Sequence, residues 1–429
     1  MSGAPDAYLL RGRRVPKSRY LAPEMLDWEL DRVFPKTWLF AGPATDLPTV
    51  GSYLTLELGA ESIVVVRGPS GVGAFHNVCR HRGRALVEPG HGQLRSLRCA
   101  YHHWEYGLDG SLVAVPEADS FAECGDGPTR LGQRGSLPIA PGASTLGLHP
   151  VACETRHGLV WIHLDPDPTP LSDYLGPVDG RLARYHLDSY VLEEDSTLDL
   201  DCNWKIGVDA FNEALHLRAV HPELLGAVDD SSTTLELLGE HSAIRVPFGR
   251  PSPRAPRSDG PSEVLVHWMR GMGLDPRLHD PTHARAAVRA HLRASTDPSF
   301  ADLDDDELTD NVQFYVFPNL TLNVYATRLM LLRHRPHPTD PGRMLLDQQQ
   351  YARASRARAT APRPKHRAGR WGAGGSLGHV TDQDAATLVR VQRGMRSRGL
   401  SSIVLGALEE RLLHMHRTLD RYLFGERAR

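Results

Sequence analysis

Four residues in two short stretches have the types and spacing of a metal site. The chain reads CRHRG at 79–83 and CAYHHW at 99–104, which gives Cys79-x-His81 followed by Cys99-x-x-His102. Two thiolates and two neutral imidazoles can hold a [2Fe-2S] cluster in which histidines replace two cysteines on one iron. Nitrogen ligation of that kind raises the reduction potential and suits a centre fed by a ferredoxin or a reductase. A tetrahedral Cys2His2 zinc site uses the same ligand types, but its usual first pair is Cys-x2-4-Cys rather than Cys-x-His. His103 adjoins His102, and the Cys-x-x-His spacing favours His102 as the ligand.

A second set lies in NWKIGVDAFNEALHLRAVHP, residues 203–222. His216 and His221 are separated by roughly 140° on an ideal helix and would not share a face. Pro222 changes this, because the residue before a proline avoids the α region. The helix is therefore expected to end or distort at His221, and both imidazoles can then converge. Glu213 sits one turn before His216 on the expected helix. Two histidines and one carboxylate form the facial triad of non-heme Fe(II) oxygenases, with positions left open for O2 and substrate. The third ligand has to come from elsewhere in the chain.

The two loops resemble those of Rieske oxygenases, CRHRG and CPYHGW, with Ala100 and His103 in place of the usual Pro and Gly. Residues 203–222 are similar to that family's iron helix, and 380–397 (VTDQDAATLVRVQRGMRS) to its C-terminal acidic helix. The resemblance runs from Tyr20 to about Arg398. It implies that Cys79, His81, Cys99 and His102 bind the cluster, with Tyr101 and Trp104 packed around it. His216 and His221 become iron ligands, with Asp384 as the third and Asp382 as the alternative. Thr381-x-x-Asp384 also fits a capping box, which would give Asp384 a structural use. Glu213 takes the place of an aspartate that hydrogen-bonds the first iron histidine and a cluster histidine of a neighbouring subunit. Asp209 matches a supporting carboxylate, and Ala210 stands where the family often has Asn. Phe211, Asn212, Leu215, Phe317, Asn319, Asn323 and Tyr325 are candidates for the substrate pocket.

The same resemblance implies an α+β chain. Residues 1–40 form a helical segment packed on the catalytic domain. Residues 41–168 form an all-β Rieske domain, and 169–429 a helix-grip, START-like domain with an antiparallel sheet. It implies a homotrimer, with a beta subunit an open question, and electrons from NAD(P)H through a partner reductase and a ferredoxin. VDAFNEALH is closer to aromatic ring-hydroxylating members than to quaternary-amine members, so hydroxylation of an aromatic or polycyclic substrate is expected. N- or O-demethylation is the alternative. A Rieske electron carrier without oxygenase activity is a third reading, but such a carrier needs only the first domain.

The elements that must position these residues are legible in outline. Residues 24–40 have apolar positions at helical spacing, with Pro35 to end the helix. From 42 to 168 short apolar runs (YLTLEL, SIVVVR, LVWIHL) alternate with turn residues, an all-β texture. Residues 165–180 are Pro- and Asp-rich and suit a boundary. LEEDSTLDLDCN, FYVFPNLTLNVY, RLMLLRHRPH and RMLLDQQQYA suggest strands. Residues 226–262 look like loop, and 381–423 look helical with a break near Gly399. GGSLG at 374–378 fits a nucleophile motif without its strand context. ADLDDDEL at 301–308 is expected as a solvated acidic turn. The run 353–370 holds six arginines, one lysine and no acid, and is either a solvated loop or a docking surface for an acidic partner.

Bulk properties set limits. The 429 residues suit two domains, and a net charge of −3 gives no reason to expect nucleic acid. Five cysteines are too few for a disulfide framework. Nothing resembles a targeting signal or a membrane span, so a cytoplasmic protein is expected.

Overall fold

The computed structural model describes residues 7–121, 146–256, 260–279, 283–354 and 362–425. The chain divides into two compact units, Phe34–Leu171 and a discontinuous one made of Met1–Val33 with Ser172–Arg429. The stretch 165–180 contains the second crossing and then forms two short helices, Leu171–Leu175 and Pro177–Ala183.

The Phe34–Leu171 unit is built on a seven-stranded antiparallel sheet. Its spatial order is Leu39–Pro43, Leu159–His163, Pro150–Arg156, Gly71–His76, Glu61–Gly68, Ser52–Leu58 and His91–Gln93. Alternating burial along Ser52–Leu58 follows the apolar-polar alternation of SYLTLEL, as a half-buried strand requires. A second, three-stranded sheet joins Leu97–Arg98, Glu105–Tyr106 and Leu112–Ala114. Val64, Val66 and Phe75 of the large sheet share one core with Cys79, Cys99, Trp104 and Tyr106. The candidate cluster loops are thus anchored at their cysteines by the core itself. Cys124 lies outside the described residues.

The other unit holds an eight-stranded sheet. Its strands are β1 (Tyr190–Leu200), β2 (Thr234–Leu238), β3 (His241–Val246), β4 (Asn311–Val316), β5 (Leu320–Val324), β6 (Arg328–Pro336), β7 (Met344–Arg353) and β8 (Arg367–Arg370). The spatial order is β2-β3-β4-β5-β6-β7-β1-β8. All pairs are antiparallel except β1 with β8. The helices used below are α1 (Pro23–Arg32), α2 (Trp204–Phe211), α3 (Leu217–Val220), α4 (Glu263–Gly271), α5 (His379–Met395) and α6 (Glu410–Phe424). No helix among the described residues is long and apolar enough to cross a membrane.

Cross-strand register fixes which side chains share a face. Ser242, Tyr315, Thr321, Leu332 and Gln348 form one row, and Ile244, Gln313, Asn323, Met330 and Gln350 the next row on the same face. α6 is pinned to this face by Arg411, which donates to the Ser242 hydroxyl at 3.0 Å and to Gln313 Oε1 at 2.8 Å. α5 is pinned by Thr381, which donates to Gln348 Oε1 at 2.7 Å.

The structure revises several expectations. Residues 226–262 are not all loop, because β2 and β3 lie within them; Ser242, Ile244 and their neighbours pair with β4, and that long-range pairing overrides a polar local texture. The helix expected across 203–220 is two helices, with residues 212–216 outside both. α1 ends at Arg32, and Pro35 falls in a short 3-10 turn, Phe34–Lys36. The acidic stretch is not simply solvated: Asp305 and Asp306 pair with Arg245, Arg285, Arg289 and Arg293. The basic run is likewise tied down within the chain. Arg363, Arg367 and Arg370 pair with Asp195, Glu194 and Asp199 of β1, so much of the described charge of this run is matched within the chain. Residues 355–361 of the run lie outside the described residues.

Candidate metal centres

The two loops bring their four donors together in pairs. Cys79 and Cys99 are buried at 3% and 2% exposure, and each heads a tight turn. The Gly83 amide donates to the Cys79 carbonyl, and the His103 amide to that of Cys99. The His81 and His102 rings lie 4.6 Å apart, and His81 stacks on Trp104 at 5.0 Å. The Tyr106 hydroxyl is 3.5 Å from Cys79 Sγ and accepts the Arg80 amide at 3.0 Å. Burial, then the neighbouring His102 and Arg82, lower the His81 pKa, which favours the neutral imidazole that a metal needs. His103 is exposed and has a φ of 58°. That left-handed conformation explains why glycine suits this place, and it is the His102 ring that meets His81.

Among the described residues, three donors converge to within 4.8 Å of one another at His216, His221 and Asp384. No three donors of the cysteine loops do so. Two separated donor pairs fit a bridged two-iron cluster, whereas one tetrahedral zinc would draw all four together.

The iron-type site grows out of the interruption between α2 and α3. The Glu213 carboxylate turns back to accept the Leu215 and His216 amides and lies 2.6 Å from His216 Nδ1. This local capping competes with helix and breaks it. His216 therefore stands at the N-terminus of α3, not on the face of a continuous helix. His221 ends α3 with φ −127° and ψ 54°, outside the α region as Pro222 demands. Its Nε2 is 2.8 Å from Asp384 Oδ1, and its Nδ1 is 2.7 Å from Gln383 Oε1. His216 Nε2 is 3.8 Å from the same Asp384 oxygen. Each histidine is thus held through Nδ1, with Nε2 turned toward the carboxylate, the usual arrangement behind metal-binding imidazoles. His221 and Asp384 are buried. Burial works against a charge on His221, but the Asp384 carboxylate outweighs it and raises the pKa.

Asp384 and Asp382 have separate uses. Asp382 accepts the Ser376 hydroxyl at 2.5 Å and the Leu377 amide at 2.9 Å, so it secures the entry to α5. The helix begins at His379, two residues before Thr381, which removes the capping-box use of Asp384. Asp209 accepts from the Tyr20 hydroxyl at 2.6 Å and lies 3.5 Å from His416 Nε2. Its described partners are those two residues, not the three converging donors.

A family model described as the ring hydroxylating alpha subunit (catalytic domain) matches residues 187–425, and one for the Rieske [2Fe-2S] domain matches residues 37–126. The chain belongs to the Rieske oxygenase alpha-subunit family. A [2Fe-2S] cluster goes with the first of its domains and a mononuclear iron with the second, and both donor sets fit those groups. The glycine betaine monooxygenase oxygenase subunit of Chromohalobacter salexigens is 34% identical over 241 residues, 54% of this chain and 50% of that protein. Benzene 1,2-dioxygenase subunit alpha of Pseudomonas putida is 29% identical over 230 residues, 52% of this chain and 47% of that protein. The chain thus spans about half the length of the curated relatives it matches. A solved structure of the quaternary ammonium Rieske monooxygenase CntA with L-carnitine superposes with a TM-score of 0.67 at 18% identity, covering 98% of this chain and 99% of that one.

In this member of the family a small cavity opens on the same sheet face as the converging donors. It has a volume of about 210 Å³ and is lined by Phe248, Trp268, Met272, Tyr325, Arg328 and Gln350, among others. Phe248 also packs on the Val228, Ile244 and Val246 cluster together with Ala214 and Leu217, which flank the His216 turn. Gln350 is two residues along β7 from Gln348, the partner of Thr381 on α5, and Asp384 follows one turn later. One apolar cluster thus touches both Phe248 of the cavity and the residues that flank His216. The Phe248 ring lies 5.4 Å from that of Trp268 and 6.1 Å from that of Tyr325, nearly perpendicular to the latter. Burial pushes the Tyr325 phenol up to about 12, so it carries no charge. A larger cavity, about 530 Å³, lies beside the glycine-rich loop 373–378, and its two charged residues, Glu194 and Arg367, are paired with each other.

Of the pocket candidates, Tyr325 lines the cavity. Asn323 is on the same face, holding the Asn311 and Gln313 amides at 3.1 Å. Asn212 is buried with both amide atoms unpartnered among the described residues. Leu215 is half-buried beside His216. Phe211 packs near His334 at 5.6 Å, Phe317 stacks on Tyr422 at 5.3 Å, and Asn319 donates to the His334 carbonyl at 3.0 Å. These three do not line that cavity. Sequence reasoning missed Phe248, Trp268, Arg328 and Gln350, which come from four separate stretches of the chain and carry no local motif. Gln383, next to Asp384, was legible only by its place in the acidic helix.

Proposed function

We propose that this chain is the terminal oxygenase of a multicomponent system that removes a methyl group from a small methylated amine. Cys79, His81, Cys99 and His102 would hold the cluster, and His216, His221 and Asp384 the iron. The cluster supplies single electrons from a reductase, directly or through a ferredoxin, and the iron supplies the place where O2 is reduced. Glu213 holds the His216 Nδ1 proton and so fixes the ring with Nε2 toward Asp384, where the iron would be held. In a head-to-tail homotrimer it would also meet His102 of a neighbouring copy. Asp384 and Gln383 orient His221 in the same way.

The observation that carries the substrate reading is the cavity on the donors' face of the sheet. At about 210 Å³ it is smaller than the pockets of about 300–1,000 Å³ that take drug-sized ligands. Its three aromatic rings suit a quaternary ammonium group through cation–π attraction. The relatives named for glycine betaine at 32–34% identity support the same reading over the aromatic one suggested by VDAFNEALH. For a trimethylammonium substrate the balance is R–N(CH3)3⁺ + O2 + 2e⁻ + 2H⁺ → R–NH(CH3)2⁺ + CH2O + H2O. With a reductase, the holoenzyme should release one formaldehyde per amine consumed. Glu213→Gln should retain both metal centres and slow turnover roughly 10–100-fold, as loss of a residue supporting a metal ligand does. Hydroxylated aromatic product without formaldehyde would overturn the demethylation reading.

A further inference from the structure

The cavity carries a charge that a cationic substrate alone would not explain. Arg328 lines it at the start of β6, next to Tyr325, and Gln350 lies across from Met330 in the neighbouring strand. Among the described residues, Arg328 forms no ion pair and the Gln350 amide no side-chain hydrogen bond. No acidic residue lines the cavity. Elsewhere on this sheet arginines are matched, as Arg333 and Arg335 are by Asp347. An unmatched guanidinium beside an aromatic box repels a simple cation and attracts a molecule that brings its own anion.

We propose that Arg328 selects a carboxylate-bearing methylated ammonium. The carboxylate would sit on the Arg328 guanidinium, with Gln350 within the same lining, and the trimethylammonium head against Phe248, Trp268 and Tyr325. This rests on the demethylation reading and narrows it to a zwitterion over a cation. Arginine suits the task because its planar fork matches a carboxylate with two parallel hydrogen bonds. Arg328 is a specificity-determining residue here and takes no part in holding metal.

Titration calorimetry on the anaerobic holoenzyme tests this with four probes: glycine betaine, choline, 3,3-dimethylbutanoate and indole. Glycine betaine should bind at least about tenfold more tightly than choline, the scale of one hydrogen bond to a charged group. Dimethylbutanoate, which keeps the carboxylate and loses the cation, should bind with intermediate affinity. Arg328→Gln, an exposed and fold-neutral change, should weaken betaine and dimethylbutanoate about tenfold and leave choline unchanged or tighter. Arg328→Lys should restore part of the betaine affinity. Choline binding as tightly as betaine, or betaine affinity unmoved by Arg328→Gln, would overturn the role of Arg328 while leaving demethylation intact. Binding of indole and of neither methylated ammonium would overturn the substrate reading and this selection together.

Discussion

The two donor sets are built in opposite ways. The cysteine-histidine set lies in two turns of one β unit, within 24 residues from Cys79 to His102, and its cysteines belong to that unit's core. The histidine-carboxylate set draws on residues more than 160 positions apart, and its local chain is an interrupted helix. A compact motif fixes its geometry through turns. A dispersed one depends on the packing of a whole unit, so the two should fail under different insults.

The largest effect should come from Asp384. Asp384→Ala should remove the mononuclear iron and reduce turnover to background, with the cluster's EPR signal intact. Asp382→Ala should keep the iron and cost about 1 kcal/mol of stability, as loss of a helix cap does. Iron analysis of both variants checks the division, and loss of iron from Asp382→Ala alone would reverse it. Acid should separate the units next. His241 Nε2 meets the Tyr174 carbonyl at 2.7 Å, and its Nδ1 accepts the Phe317 amide at 3.1 Å. The neutral ring fits both partners, and burial holds its pKa down to about 4. The unfolded chain binds a proton there at about 6.5, so between pH 6.5 and 4 the unfolded state holds more protons. Stability therefore falls as pH drops through that window and is fully present above it, with about 3 kcal/mol at stake. Thermal melts at pH 7 and pH 4.5 should show this loss, and His241→Gln should reduce it. The smallest effect is confined to the β unit. His103→Gly relieves a left-handed residue and should add about 1 kcal/mol, raising Tm by roughly 2–4 °C without moving the cluster spectrum.

The contrast also explains what could be read from the chain. Cys79, His81, Cys99 and His102 were legible because spacing alone encodes a turn. The strands of the β unit were legible for the same local reason, their alternation. His216 and His221 were legible through Pro222, but the helix around them was not, since the break comes from Glu213 folding back onto its own amides. β2 and β3 were hidden because the strand that ties their hairpin to the sheet, β4 paired with β3, lies beyond two further helices in sequence. The cavity was hidden for a stronger reason. Phe248, Trp268, Arg328 and Gln350 meet only after the sheet and α4 have packed, and no spacing rule spans that distance.

The discontinuity of the second unit has a consequence for synthesis. Glu29 of α1 is buried with Lys205 of α2, Nζ to Oε1 at 2.6 Å, and also accepts the Trp204 indole at 2.7 Å. Both charges of that pair are fully buried, and leaving one without the other costs about 3–5 kcal/mol. A ribosome delivers α1 first, then the whole Phe34–Leu171 unit, and only afterwards the partner that α1 requires. The whole Phe34–Leu171 unit is thus delivered before α1 can form that pair. A chain cut short of α2 would leave Glu29 without Lys205 and Trp204, its partners on α2.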